Sequence, residues 1–531
     1  LHVRPVLNLR LDEDVIAMRA IAEEAFDMVQ SYRGSHSGEH GDGLVRSEFH
    51  AKMFGKRMVE SFAEVKQMLD PNGILNPGKI VNPPKMDDRN LFRYPPDYQV
   101  KPVQTALDWS AWPGAGGGFQ GAVEMCNNNG ACRKLNGGGM CPSYRVTRDE
   151  KDLTRGRANS LRLALSGQLG DDAMTSDAMW NTLKLCVSCK ACKLECPTGV
   201  DMSRMKIEVA AARFGALGPT LQDRLVANLP AAAPWLSRFS AVANLPGRLP
   251  GLARLMEPVT GFSARRKLPT WRRESYQHID AGPVDGRPVI LFADTFNTWF
   301  EPENLVAARE VLAAAGYRVI SPPPASGNRP ACCGRTWLTT GDVERAKQEI
   351  RRTADTWRSA VDQGAVIIGL EPSCTLGLRE DLPALGGRGA DHIASQIFLF
   401  EEFLADEDPD LDLRAPAAKA LLHGHCHQKA HRQMSQVETV LGRIPGLEVN
   451  PVESACCGMA GAFGYGRDTW EISQKMAEAG LLPAVRKASP DTLIVADGTS
   501  CRHQIELGSG RNALHVARVL AMALAGSGPL A

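Results

Sequence analysis

The sequence has almost no net charge, no long apolar run and no readable secretory leader. Its 61 lysines and arginines offset 60 acidic residues, leaving +1. There is thus no electrostatic case for nucleic acid or an anionic lipid surface as partner. No apolar stretch approaches the roughly 18 residues that cross a bilayer, and nothing resembles a charged-then-apolar leader. These absences argue against a membrane-spanning, secreted or nucleic-acid-binding protein and for a cytoplasmic one, at most peripheral on the inner face of the membrane. What the chain has instead is cysteine, fourteen in 531 residues, set in adjacent pairs and short-spaced runs. In a large chain of this kind they read as metal ligands in a reducing compartment rather than as disulfides. The length allows roughly three to five domains. The chain opens at Leu1 inside an alternating, strand-like stretch over residues 1–9. A strand with no preceding partner is expected to belong to a longer protein whose N-terminal part is absent.

The most specific stretch is Cys186-Val-Ser-Cys189-Lys-Ala-Cys192-Lys-Leu-Glu-Cys196-Pro, the C-x2-C-x2-C-x3-C-P spacing of a [4Fe–4S] cluster. Three thiolates two residues apart fit a loop around one cubane, and the fourth leaves to reach a second cluster. A structural zinc site is the competing reading, but its two C-x2-C pairs usually lie well apart. Upstream, Cys126-Asn-Asn-Asn129-Gly-Ala-Cys132 and then Cys141-Pro142 form an altered copy, with Asn129 at the middle position. Because the Cys-Pro cysteine crosses between clusters in two-cluster ferredoxins, Cys186, Cys189, Cys192 and Cys141 are assigned to one [4Fe–4S] cluster. Cys126, Cys132 and Cys196 are assigned to the second. With three thiolates and an asparagine, that second centre is either [3Fe–4S] or [4Fe–4S] with a non-cysteine ligand, and thiolate count alone does not choose.

Residues 1–86 form a first unit. Helical periodicity runs from Asp12 to about Gln30 and again over about Lys52–Leu69. Between them lies Gly34-Ser-His-Ser-Gly-Glu39-His40-Gly-Asp-Gly43, where glycines permit close backbone approach and His and Glu supply metal ligands and a base. A polar surface loop is the plainer alternative. Leu1-His2-Val-Arg4-Pro, the Glu-His-Gly-Asp-Gly loop and Asp70-Pro-Asn-Gly-Ile-Leu-Asn76-Pro-Gly-Lys79 resemble the C-terminal end of FAD-linked 2-hydroxy-acid oxidases of the vanillyl-alcohol-oxidase type. That resemblance implies a divalent metal such as zinc on His2 and Glu39, and His40 as the base beside the substrate. It places Asn76 and Lys79 in the cofactor-binding part. Arg4 is assigned to the substrate carboxylate, against the plainer reading of a structural ion pair.

Residues 87–120 read as a linker, first proline-rich and then glycine-rich, and 121–217 as an all-α, ferredoxin-like two-cluster unit. Its helix Thr154–Leu165 carries arginines that either pack on the domain or raise cluster potentials. Residues 218–286 read as short helices and linker. Residues 287–410 and 411–531 read as two copies of one α/β module, with alternating strands and helices and cysteines in the loops after the strands. Each copy has Cys-Cys-Gly followed by Ser-Cys: Cys332, Cys333 and Cys374 in the first, and Cys456, Cys457 and Cys501 in the second, which adds Cys426. Asp294 is taken to match Cys426 in the first copy, which is either a weak site or a degenerate structural repeat. His423, His425, His427 and His431 surround Cys426 as acid/base groups, quinone contacts or plain core histidines. This pattern resembles the CCG domain of heterodisulfide reductase, glycolate oxidase iron–sulfur subunits and lactate-utilisation proteins.

The expected fold class is therefore multidomain α+β and α/β: the end of an FAD-linked oxidase substrate domain, an all-α two-cluster unit and two CCG modules. As a whole the chain resembles the large fused FAD/iron–sulfur dehydrogenases of bacteria, most of all the D-2-hydroxyglutarate dehydrogenase type. The resemblance implies oxidation of a D-2-hydroxy acid at FAD held mostly by an N-terminal half, with electrons relayed through the clusters to a quinone or protein acceptor. Glycolate or D-lactate dehydrogenase, or an electron-transfer module without its own substrate, are the alternatives. A homo-oligomer is compatible with the sequence.

Overall fold

The computed structural model describes residues 4–98, 101–112, 117–323 and 329–525. The chain divides into two compact units, residues 1–101 and 102–531.

In the first unit, acidic residues in the first turn of the helix Asp12–Ser31 complement its dipole. Arg19 on this helix ties the unit together. Its guanidinium meets Glu23 at 2.9 Å, Glu48 at 3.1 Å and Asp87 at 2.7 Å, and Glu48 accepts the Met86 N–H at 2.6 Å. The expected helix over 52–69 is two helices, His50–Phe54 and Lys56–Leu69, broken at Gly55 with φ +83°. The expected strand over residues 1–9 is a correction: residues 4–8 carry no strand pairing. A strand needs a neighbour for its backbone groups, and the described residues of this unit contain none.

In the second unit, residues 118–217 carry helices and no strand among the described residues, as the sequence leads one to expect. The principal helices are Gly118–Glu124, Pro142–Thr147, Thr154–Leu165, Asp177–Leu183, Ala191–Glu195 and Met202–Leu217. Leu153, Leu161 and Leu183 are wholly buried among them. Part of the expected linker belongs to this core. The buried Glu208 carboxylate accepts the backbone N–H of Ala106 and Leu107 at 2.8 and 2.9 Å and the Trp109 indole N–H at 2.7 Å. Short helices from Leu221 to Thr260 follow.

The remainder contains two four-stranded parallel sheets of identical order. Strands β1 (Pro288–Phe292), β2 (Arg318–Ile320), β3 (Val366–Gly369) and β4 (Ile397–Leu399) run β2-β1-β3-β4. Strands β5 (Lys419–Leu422), β6 (Glu448–Pro451), β7 (Leu493–Val495) and β8 (Ala513–Leu514) run β6-β5-β7-β8. The edge strands β4 and β8 leave no signal in the sequence, because two or three residues are too few to show a period. Between β6 and β7 the helices Trp470–Glu478 and Leu481–Lys487 are separated at Gly480, where a Cβ would lie 2.8 Å from the Glu453 carbonyl oxygen.

The strand register corrects one alignment. Val289 of β1 pairs with Val366, and Ala420 of β5 with Leu493. Asp294 lies five residues beyond Val289, and His425 five beyond Ala420. Asp294 therefore corresponds to His425, and Thr295 to Cys426. Both Asp294 and His425 cap the helix that follows. Asp294 accepts the Phe296 and Asn297 N–H groups, and His425 Nδ1 accepts that of His427. The one-residue slip arises because the two turns share no residue that would fix their alignment by sequence.

Glu208→Ala leaves two buried donors and one half-buried donor without an acceptor. We expect a loss of about 3 kcal/mol or more, read by thermal melting, together with faster proteolysis within residues 102–112. Unchanged melting would contradict the tether.

Candidate iron–sulfur centres and the glycine-rich loop

Tight backbone geometry gathers the strong motif. Ser188 and Lys190 take left-handed φ of +51° and +62°, folding the loop around Cys189 before the helix Ala191–Glu195. Cys141, Cys186, Cys189 and Cys192 line one small cavity, with Ser143, Thr154, Arg157 and Met202 in its wall. Cys141 comes from the altered copy, and its sulfur accepts the Thr154 N–H at 3.1 Å. Arg157, buried in the wall, donates to the Thr182 carbonyl and the Ser143 hydroxyl, both at 3.1 Å. Burial pushes the Cys189 and Cys192 thiols well up. A buried thiol holds its proton unless a metal cation replaces it. Four sulfurs converging on one pocket therefore suit an iron–sulfur cubane.

Glu195, a spacer residue of the C-x3-C segment whose identity that spacing does not specify, fastens the two motifs together. Its carboxylate accepts the backbone N–H of Gly139 at 2.6 Å and of Met140 at 3.3 Å, immediately before Cys141. Gly138 must be glycine there, since it has φ +60° and its Cβ would meet the Glu195 carboxylate at 2.5 Å.

The second centre is less closed. Cys126 and Cys132 are buried, and burial pushes Cys132 up to about 11, with Cys141 and Cys126 as neighbours. Cys196 lies half-buried just after the helix Ala191–Glu195, 3.4 Å from the Thr198 hydroxyl. The Asn129 side chain is exposed and occupied by its own turn: Oδ1 accepts the Ala131 N–H at 2.8 Å, and Nδ2 donates to Asn127.

In the second α/β copy the four cysteines meet. Cys426 contacts Cys456, Cys456 contacts Cys457, and Cys457 contacts Cys501 and His423. The ligand atoms of His423, Cys457 and Cys501 lie within 4.8 Å of one another. The Cys456 hydrogen bond holds the Cys426 thiol down at about 6. Gly498 is required beside them, because a Cβ would lie 2.5 Å from the His425 ring. The four histidines have four different places. His423 shares a 3.0 Å hydrogen bond with Ser454, and His425 caps a helix. His427 Nε2 lies 3.2 Å from both the Ser188 carbonyl and Arg335. His431 lies 3.7 Å from Glu380. In the first copy Cys333 contacts Cys332 and Cys374. Asp294 nearby is pushed up to about 7 by burial and by Glu371, with its carboxylate engaged by Asn297.

The strong motif also touches both copies. Cys189 and Cys426 are neighbours. Glu380 of the first copy pairs with Lys190 and Lys193 at 2.5 and 2.6 Å, and Arg335 reaches Ser188 and His427.

In the first unit, Glu39 and His40 are exposed, 3.6 Å apart. Arg4, Asn76 and Lys79 are exposed as well. His2 lies outside the described residues.

Three segments match known families. Residues 1–80 match FAD linked oxidases, C-terminal domain; residues 122–200 match a 4Fe-4S dicluster domain; residues 420–506 match a cysteine-rich domain, CCG. Flavin and iron–sulfur clusters are the cofactors those segments imply. Over 98% of its length the chain is 25% identical to D-2-hydroxyglutarate dehydrogenase of Pseudomonas putida, covering 54% of that protein. Over the same share it is 24% identical to D-2-hydroxyglutarate dehydrogenase of Escherichia coli, again covering 54%. Over 72% of its length it is 25% identical to the glycolate oxidase iron-sulfur subunit from Escherichia coli, and it spans 93% of that chain. The chain thus spans about half the length of the D-2-hydroxyglutarate dehydrogenases it matches. No helix among the described residues is long and apolar enough to cross a membrane.

Glu195→Ala releases two backbone donors beside Cys141. We expect about 2 kcal/mol of destabilisation and lower iron content per chain, with Asp and Gln variants intermediate. Full iron content in Glu195→Ala would contradict the role.

Proposed function

We propose that the chain is the electron-transfer part, with the end of the substrate domain, of a flavin- and iron–sulfur-dependent dehydrogenase. Its substrate is a D-2-hydroxy acid, D-2-hydroxyglutarate in the first place, which leaves as the 2-oxo acid. The observation that carries this reading is the joining of an FAD-oxidase segment, a two-cluster segment and a CCG segment in one chain. That chain aligns over nearly its whole length with the D-2-hydroxyglutarate dehydrogenase relatives.

Bound FAD supplies the two-electron acceptor for the hydride leaving the substrate carbon. The chain's own residues do the rest. His40 would take the hydroxyl proton, His2 and Glu39 would hold a divalent ion supplying Lewis-acid polarisation to the substrate, and Arg4 would pair with the carboxylate. Asn76 and Lys79 would belong to the flavin-binding part. The exposure of Glu39, His40 and Arg4 accords with a surface completed by the flavin-binding half of the protein. Cys141, Cys186, Cys189 and Cys192 hold a [4Fe–4S] cluster, and Cys126, Cys132 and Cys196 the second. Because the Asn129 oxygen is committed to its own turn, we assign the second centre as [3Fe–4S]. Cys426, Cys456, Cys457 and Cys501 form the terminal centre, next to Cys189. Cys332, Cys333 and Cys374 lack a fourth thiol, and we read that copy as chiefly structural. The acceptor is a quinone or an electron-transfer protein.

Anaerobic mixing of the complete enzyme with a panel of 2-hydroxy acids tests this. D-2-hydroxyglutarate should bleach the flavin and then the cluster absorbance. His40→Ala should slow that reduction by about 10²-fold or more while dithionite still reduces the clusters. Failure of every 2-hydroxy acid to bleach the flavin would reduce the chain to an electron-transfer module.

A further inference from the structure

A second group of metal-ligating side chains lies in the first unit, apart from His2 and Glu39. His36 comes from the glycine-rich loop, Asp42 from its far end and His50 from the start of the helix His50–Phe54. Their ligand atoms lie within 4.8 Å of one another. His36 Nε2 is 3.6 Å from Asp42 Oδ1, and His50 Nε2 is 3.1 Å from Asp42 Oδ2. Both imidazoles are 2% exposed and the carboxylate 19%. His36 Nε2, Asp42 Oδ1 and both ring nitrogens of His50 are buried without an aligned hydrogen-bond partner.

Such orphaned polar atoms are costly in a folded interior. A proton on His50 would satisfy one carboxylate oxygen and still leave His36 Nε2 facing the other. A divalent ion engages one orphaned atom of each of the three residues at once. With bonds of about 2.0–2.1 Å, a tetrahedral ion sets its ligand atoms roughly 3.4 Å apart, close to the two separations found between these residues. The His36 ring is also hydrogen-bonded to the Arg46 backbone, the outer contact that typically orients a metal-bound imidazole. Phe26 and Phe54 pack against the two histidines at ring separations of 5.1 and 5.4 Å, and Phe62 lies 6.2 Å from His50. The cage is apolar on these sides and reaches solvent through Asp42.

We propose that His36, Asp42 and His50 bind a divalent transition-metal ion of the zinc class. Two imidazoles and a carboxylate suit this class better than calcium or magnesium. The ion closes the loop of residues 36–42 onto the helix His50–Phe54, and thereby fixes the segment that presents Glu39 and His40. The site is structural, and it stands whether or not the chain oxidises a hydroxy acid.

The test is zinc content of the full chain purified from zinc-supplemented medium, with the ion located by anomalous scattering at the zinc edge. The expected result is one zinc between His36, Asp42 and His50. That equivalent is lost in His36→Gln and His50→Gln, retained at least tenfold more weakly in Asp42→Asn, and unaffected by Glu39→Gln. Far-UV circular dichroism and cluster absorbance report folding. Should a histidine variant fail to fold, Asp42→Asn, which keeps both imidazoles and the side-chain shape, decides. Zinc content unchanged in the folded variants, or lost only in Glu39→Gln, would overturn the proposal and leave a buried His–Asp ion pair.

Discussion

The structure of the larger unit depends on one constraint: sulfur ligands must be withdrawn from water while their loop stays short. The segment from Cys186 to Cys192 meets it with left-handed residues at Ser188 and Lys190 and a wall supplied by other segments. Cys141 closes the pocket from the altered motif, and Glu195 ties down the backbone just before it. Lys190 and Lys193 are drawn to Glu380, and the Ser188 carbonyl to His427. The loop is thus a junction as well as a cradle. The same contacts that bury its thiols bring Cys426 beside Cys189, so burial and a short path between candidate redox centres have one cause.

The two α/β copies share a sheet order but have diverged in chemistry. Where the second copy places His425 and Cys426, the first places Asp294 and Thr295, and Asp294 spends its oxygens on capping and on Asn297. Its remaining thiols are still buried together, and its Arg335 and Glu380 face the cluster loop. The first copy therefore serves the loop through its surface contacts, whereas the second brings four cysteines to it. This division follows from a few side chains on an unchanged scaffold.

Much of this is legible in the sequence. The 2-2-3 cysteine spacing marks a cluster because few other uses tolerate it, and the repeated Cys-Cys-Gly announces the duplicated sheet. The helix Thr154–Leu165 shows its period over three turns. Other features depend on contacts far apart in the chain. The Glu208 tether joins residues about one hundred positions apart, and Glu195 resembles any helix-end glutamate until Gly139 is seen against it. Residues 4–8 alternate like a strand but have no neighbour to pair with, and β4 and β8 are too short for a period. The turns holding Asp294 and His425, lacking a shared residue, align correctly only through the register of the strands before them.

The proposed electron path requires a cluster at Cys141, Cys186, Cys189 and Cys192 to lie beside a redox centre at Cys426, Cys456, Cys457 and Cys501. Electron paramagnetic resonance of the partly reduced complete protein probes that adjacency most directly. The [4Fe–4S] signal should be broadened and relax faster through a neighbouring paramagnet, and Cys457→Ser should remove this effect while preserving the signal. An unbroadened signal, with relaxation identical in wild type and Cys457→Ser, would contradict the adjacency of two redox centres.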